Sequence, residues 1–100
     1  MNEISTKQLQ EILSQNPNIK LFDAREPIEY AAGHISESKN FPLEKVSKFN
    51  FPKDEKYYFI CRSGNRSKQF CEYLTEFGYQ DVTNILGGML EWHGEVDSDF

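Results

Sequence analysis

One hundred residues, 38% hydrophobic and 14% aromatic, specify one compact domain with a single core and leave no room for a second. A formal charge of -5 argues against nucleic acid as a general partner, because affinity there comes from cationic neutralisation of phosphates. Two cysteines do not make a disulfide framework, "MNEISTKQLQ" lacks the basic start and apolar stretch of a signal peptide, and no apolar run approaches the roughly 20 residues of a bilayer span. The expectation is a cytoplasmic protein with free thiols and no membrane association.

In chain order, Ser5 or Thr6 can cap a helix whose apolar positions Leu9, Ile12 and Leu13 keep the spacing of one helical face, and "NPN" at Asn16 to Asn18 ends it with turn chemistry. "IKLFDA" reads as a strand ending near Asp23. "EPIEYAAG" reads as a short helix with Pro27 in its first turn and Gly33 beyond its end. "HISESKNFPL" is expected to be extended and "LEKVSKF" to make one or two helical turns. "KYYFI" is the clearest strand. Arg66 to Phe77 is expected as a helix with Phe70, Leu74 and Phe77 on its buried face, closed by Gly78. "DVTNI" is a last strand and "GGMLEW" a last short helix, opened by closely packed glycines. "GEVDSDF", from about residue 94 to 100, reads as a frayed polar tail.

Strands alternating with helices predict an α/β fold with a small, mostly parallel sheet covered on both faces, and such sheets place chemistry beyond the carboxyl ends of their strands. Asp23 and Cys61 each follow such an end. Between Cys61 and Lys68 lie Arg62, Arg66 and Lys68 and no acid, a small basic spot on an acidic chain. A thiol acts as a nucleophile in its ionised form, and three features favour it here. The helix beginning near Arg66 directs its partial positive charge back at the loop. Gly64 and Asn65 can take positive φ, so successive N–H groups can form a concave nest. Arg62 and Arg66 add full charges. No partner histidine is required.

"CRSGNRS", Cys61 to Ser67, lying between a strand and a helix, closely resembles the active-site loop of single-domain rhodaneses, the sulfurtransferases. "DAREPIEYAAGHI" resembles the family's first signature through Asp23, Arg25, Glu26, Glu29, Tyr30, Gly33, His34 and Ile35. "NFPL" at Asn40 to Leu43, "GY" at Gly78 and Tyr79, and "LGGMLEW" from Leu86 to Trp92 follow in the family's order. The resemblance implies a single rhodanese-like domain over residues 1–100. It implies an enzyme that moves a sulfane sulfur from a donor such as thiosulfate to cyanide or a thiol, by double displacement through a persulfide on Cys61. The implied partners are a small anionic sulfur donor, a thiol or cyanide acceptor, and a sulfur-relay protein as a further candidate; no cofactor or metal is implied.

In that reading Cys61 is the nucleophile, and the main chain of Arg62, Ser63, Gly64, Asn65, Arg66 and Ser67 stabilises negative charge one sulfur atom further out. Arg62 faces the anionic donor, the Ser63 and Ser67 hydroxyls add hydrogen bonds, and Arg66 ties the loop to the body of the domain. Asp23 and Arg25 form a buried pair supporting the rim. The rival chemistry is a cysteine phosphatase or arsenate reductase, whose loops resemble Cys-x5-Arg, whereas four residues separate Cys61 from Arg66. A non-catalytic binding module of the same fold is the other rival. Cys71 reads as a small buried residue, with a resolving thiol as the alternative. His34 reads as fixing its loop rather than acting as a base, and no Cys/His pair has the short spacing of a zinc site.

Overall fold

A computed structural model describes residues 1–100. Five strands, β1 (Asn2–Ser5), β2 (Leu21–Asp23), β3 (Ser38–Asn40), β4 (Lys56–Ile60) and β5 (Asp81–Leu86), form one sheet in the order β1-β5-β4-β2-β3, and every pairing is parallel. Three α-helices accompany them, α1 (Thr6–Gln15), α2 (Pro27–Ala32) and α3 (Asn65–Glu76). Tight 3-10 helices occupy Leu43–Lys48 and Gly88–Glu91.

The side-chain alternation of β4 divides the core. Tyr57, Phe59 and Cys61 point to one face, where Phe70, Cys71 and Leu74 of α3 meet them with Phe22 and Phe49. Tyr58 and Ile60 point to the other, against Leu9 and Leu13 of α1 with Leu21, Ile35 and Ile85. Both faces are therefore covered, as a parallel sheet requires. The α3 face is built largely of rings, with Phe59 stacked on Phe70 at 4.6 Å and Phe49 set edge-on to Phe22, Tyr57 and Phe70.

Helix α1 starts on a complete capping box: Ser5 accepts the Gln8 N–H while the Gln8 side chain accepts the Ser5 N–H. Helix α2 has Pro27 in its first turn, and Glu29 accepts the Glu26 N–H. No helix is long and apolar enough to cross a membrane.

Three features differ from expectation. Residues 2–5, to which the sequence pattern assigns no element, form edge strand β1, held by β5 through pairings such as Glu3 with Asn84. "NEIS" has little strand propensity of its own; an existing sheet edge supplies it. Phe77 is 53% exposed, because the helix ends at Glu76 and the ring stacks outside on Tyr73 instead of entering the core. The tail is docked. His34 and Asp97 exchange both backbone hydrogen bonds, and Asp99 donates its N–H to the Ala31 carbonyl, so the tail straps the end of α2.

Candidate functional site

β2 and β4 lie side by side, with Asp23 paired to Ile60, and the sheet's order reverses about them. Cys61 comes one residue later, on the carboxyl edge where a parallel sheet leaves a crevice. The largest surface cleft, about 430 Å³ and lined by Ile12, Ile19, Lys20 and Tyr58 among others, opens at the amino ends of the strands instead.

The loop closes on its own cysteine. Gly64, at φ 102°, is the cap residue of α3 and supplies no side-chain cap. The sulfur takes that role: Cys61 Sγ accepts the N–H of Gly64 at 3.1 Å and the N–H of Ser67 at 3.3 Å, and lies 3.2 Å from the Ser67 hydroxyl. The first turn of a helix has N–H groups with no partner of its own, and here one of them is aimed at sulfur. The N–H groups of Arg62, Ser63, Asn65 and Arg66 find no acceptor within the chain. Gly64 alone takes the positive φ; Asn65 has already entered the helix. Cys61 is 1% exposed, so its sulfur lies almost wholly beneath the surface of the loop.

The two arginines part company. Arg66 turns away from the loop and grips Glu29 of α2 with both prongs, Nη1 to Oε1 at 2.5 Å and Nη2 to Oε2 at 2.9 Å. That fork holds the Glu29 carboxyl down, from an ordinary 4.5 to about 2, and raises the Arg66 guanidinium in turn. Arg62 is exposed and belongs to none of the ion pairs. Ser63 is likewise exposed at the loop's crest. A phosphatase-like use of Arg66 as an oxyanion ligand would require it to leave Glu29.

Behind the loop, Asp23 and Arg25 are buried together. Arg25 donates from Nε and Nη2 to the Asp23 carboxylate at 2.8–3.1 Å and from Nη2 to the Gly33 carbonyl at 2.7 Å. Asn40 donates to the carbonyls of both residues, fixing the end of β3 to the end of β2 and the turn that follows it. No buried side-chain polar atom of this group lacks a partner, which suits it to bracing the rim.

The glycine pair at the end of β5 is the loop's other wall. The N–H groups of Met89 and Leu90 bond the carbonyls of Cys61 and Arg62 at 2.8 and 3.0 Å. A Cβ on Gly88 would stand 2.3 Å from the Cys61 oxygen and 2.6 Å from that of Arg62, so only glycine permits the approach.

Cys71 is fully buried among the rings under α3, and burial pushes its thiol up to about 12. His34 stacks on Tyr30 at 3.9 Å, with Nδ1 2.7 Å from the Tyr30 carbonyl, and sits in the tail contact rather than the loop. Two residues tied to the loop were not among the sequence candidates for it: Glu29, above, and Asn84 of β5. Asn84 Oδ1 accepts the Ser67 hydroxyl at 2.5 Å and its Nδ2 donates to the Gly64 carbonyl at 3.3 Å. The available signal was an asparagine in the short strand "DVTNI", beside Thr83 and Ile85.

A family model described as "Rhodanese-like domain" matches residues 5–95. The Bacillus subtilis protein YtwF is 40% identical over 100 residues, covering 96% of this chain and 94% of its own. A protein of Allochromatium vinosum named "Sulfurtransferase" is 37% identical over 98 residues, covering 94% and 92%. The "Adenylyltransferase and sulfurtransferase uba4" of Ogataea parapolymorpha is 31% identical over 83 residues, which are 80% of this chain and 21% of that protein. Among solved structures, the rhodanese-like domain protein of Staphylococcus aureus superimposes with a TM-score of 0.87 at 33% identity, covering 98% of each chain.

Proposed function

Because the chain belongs to the rhodanese-like domain family, we propose that it is a sulfurtransferase that carries sulfane sulfur on Cys61. The observation behind this is the seat of the sulfur: Cys61 Sγ occupies the cap of α3 with the Gly64 and Ser67 N–H groups turned to it, while four neighbouring N–H groups stay unpaired. Two donors serve a thiolate. The unpaired ones, from Arg62, Ser63, Asn65 and Arg66, serve charge carried one sulfur further out.

With thiosulfate as donor, the Cys61 thiolate attacks the outer sulfur and forms a new S–S bond. The old S–S bond breaks and sulfite leaves with its electron pair. Cyanide or a thiolate then attacks the outer sulfur of the persulfide, and Cys61 leaves as the thiolate. Arg62, exposed and uncommitted, attracts the anionic donor. Ser63 and Ser67 supply hydroxyls, Gly64 gives the turn, Asn65 starts the helix, and Arg66, through Glu29, fixes the loop to α2. Asp23 and Arg25 support the rim. No metal or cofactor enters these steps, and the cytoplasm, which keeps thiols reduced, suits them.

A second reading, delivery of the sulfur to a protein partner, is favoured by the uba4 relative, where the matching segment is a fifth of a protein named for both adenylyl and sulfur transfer. Both readings use the same persulfide. The test is thiocyanate formation from thiosulfate and cyanide: the wild type turns over and Cys61→Ser does not. Turnover by a folded Cys61→Ser protein would refute the proposal.

A further inference from the structure

Asn84 is 1% exposed, and its side-chain amide makes three polar contacts, to Ser67 of α3, to Gly64 in the loop and to Glu3 of β1. Nδ2 faces two acceptors, the Gly64 carbonyl and the Glu3 carboxylate, each at 3.3 Å. Neither can donate, so the amide nitrogen must lie on that side and Oδ1 must face Ser67. The Ser67 oxygen is 2.5 Å from Oδ1 and 3.2 Å from Cys61 Sγ. A hydroxyl has one proton, and two oxygens this close hold it between them. Ser67 is itself fully buried, so no water replaces a lost partner.

We propose that Asn84 is a positioning residue for the sulfur chemistry: it holds the Ser67 hydroxyl proton away from Cys61 while the sulfur is neutral, and gives it up when the sulfur is charged. The proposal rests on the reading of Cys61 as the nucleophile. While Cys61 is a thiol, Ser67 donates to Asn84 and offers a lone pair to the S–H. Once the sulfur is a thiolate, the hydroxyl turns and donates to Sγ, leaving Asn84 Oδ1 unpaired inside the protein. An unpaired buried acceptor is costly, so Asn84 opposes the charged sulfur through Ser67. The persulfide, whose charge lies on the outer atom, relaxes that competition at the inner sulfur. Asn84 thus favours the loaded form over the bare thiolate.

The test is the pH profile of Cys61 alkylation by iodoacetamide in four folded proteins: wild type, Asn84→Leu, Ser67→Ala and the double variant. The charged groups about the loop, Arg62, Arg66, Glu29, Asp23, Arg25 and Glu3, are the same in all four. Asn84→Leu removes the competing acceptor at nearly constant volume, so the profile moves to lower pH, with about tenfold faster alkylation on its acid limb. In the Ser67→Ala background the same substitution changes the rate by less than about twofold, because the coupling runs through the hydroxyl. An unmoved profile in the first comparison, or an equal shift in both, overturns the proposal. Should Asn84→Leu not fold, the wild type carries the test. The side-chain amide resonances of Asn84 shift as Cys61 is titrated, and resonances that stay fixed overturn it. Alkylation needs no sulfur donor, so a protein that fails to take sulfur from thiosulfate would sink the proposed function and leave this comparison readable.

Discussion

Glu29 and Arg66, 37 residues apart, meet as a two-pronged ion pair that ties the start of α3 to α2. Both side chains are about one-third exposed, at 29% and 32%, so solvent screens the pair and its worth is modest. Arg66 holds the Glu29 carboxyl at about 2 in the folded chain, against an ordinary 4.5. A depressed carboxyl contributes its stability in full above its unfolded value and loses it as pH falls through the folded one. Glu29→Gln is therefore expected to lower the unfolding free energy by about 1 kcal/mol at pH 7, a deficit that shrinks as pH falls from 4.5 towards 2. Urea titrations of both proteins across that range check it; a deficit independent of pH contradicts it.

Gly88→Ala tests the wall of the loop. Its Cβ would meet two carbonyl oxygens that cannot retreat without breaking the bonds from Met89 and Leu90, and its φ of 56° disfavours any side chain. The expected cost is about 2–4 kcal/mol, with sulfur transfer lost even where the protein still folds. Thermal unfolding together with the thiocyanate assay decides it, and a variant of wild-type stability and turnover would show that the close approach is dispensable.

The two cysteines should differ sharply in reactivity. Both are buried, but Cys71 lies among the rings with its thiol pushed up to about 12, whereas Cys61 sits in the loop at the carboxyl edge of the sheet. Native protein at pH 8 is expected to take up one iodoacetamide, at Cys61, and a second only when unfolded. Peptide mapping reads this directly. Labelling of Cys71 in the native state, or a Cys61–Cys71 disulfide after mild peroxide, would restore the resolving-thiol reading.

Arg62→Ala should raise the KM for thiosulfate by about tenfold and leave kcat within about twofold, since in the proposed reaction the side chain attracts the donor and takes no part in bond exchange. An unchanged KM would move the anion contact to the main chain of the loop.

The alternation of strands and helices made the layered α/β fold legible, and the comparison with a solved rhodanese-like protein agrees with it. The expectations that failed lie where tertiary partners override local pattern. "NEIS" becomes β1 because β5 offers an edge, and the polar tail docks because His34 and Asp97 pair through backbone that no side-chain pattern reveals. Phe77 kept the helical spacing but fell one residue beyond the helix. Around the loop, the run from Cys61 to Ser67 was visible as small and basic residues between a strand and a helix. Glu29 and Asn84 were not read as partners of that loop, because each reaches it from another element, and only the folded chain brings a strand's asparagine under a helix's serine.

The central claim is that Cys61 carries sulfur. Intact mass after brief incubation with thiosulfate, for wild type, Cys61→Ser and Cys71→Ser, tests it most directly. The account predicts a gain of one sulfur atom in the wild type and in Cys71→Ser, reversed by cyanide, and no gain in Cys61→Ser. A gain that survives in Cys61→Ser, or its absence from folded wild-type protein offered both thiosulfate and a low-molecular-weight persulfide, would contradict it.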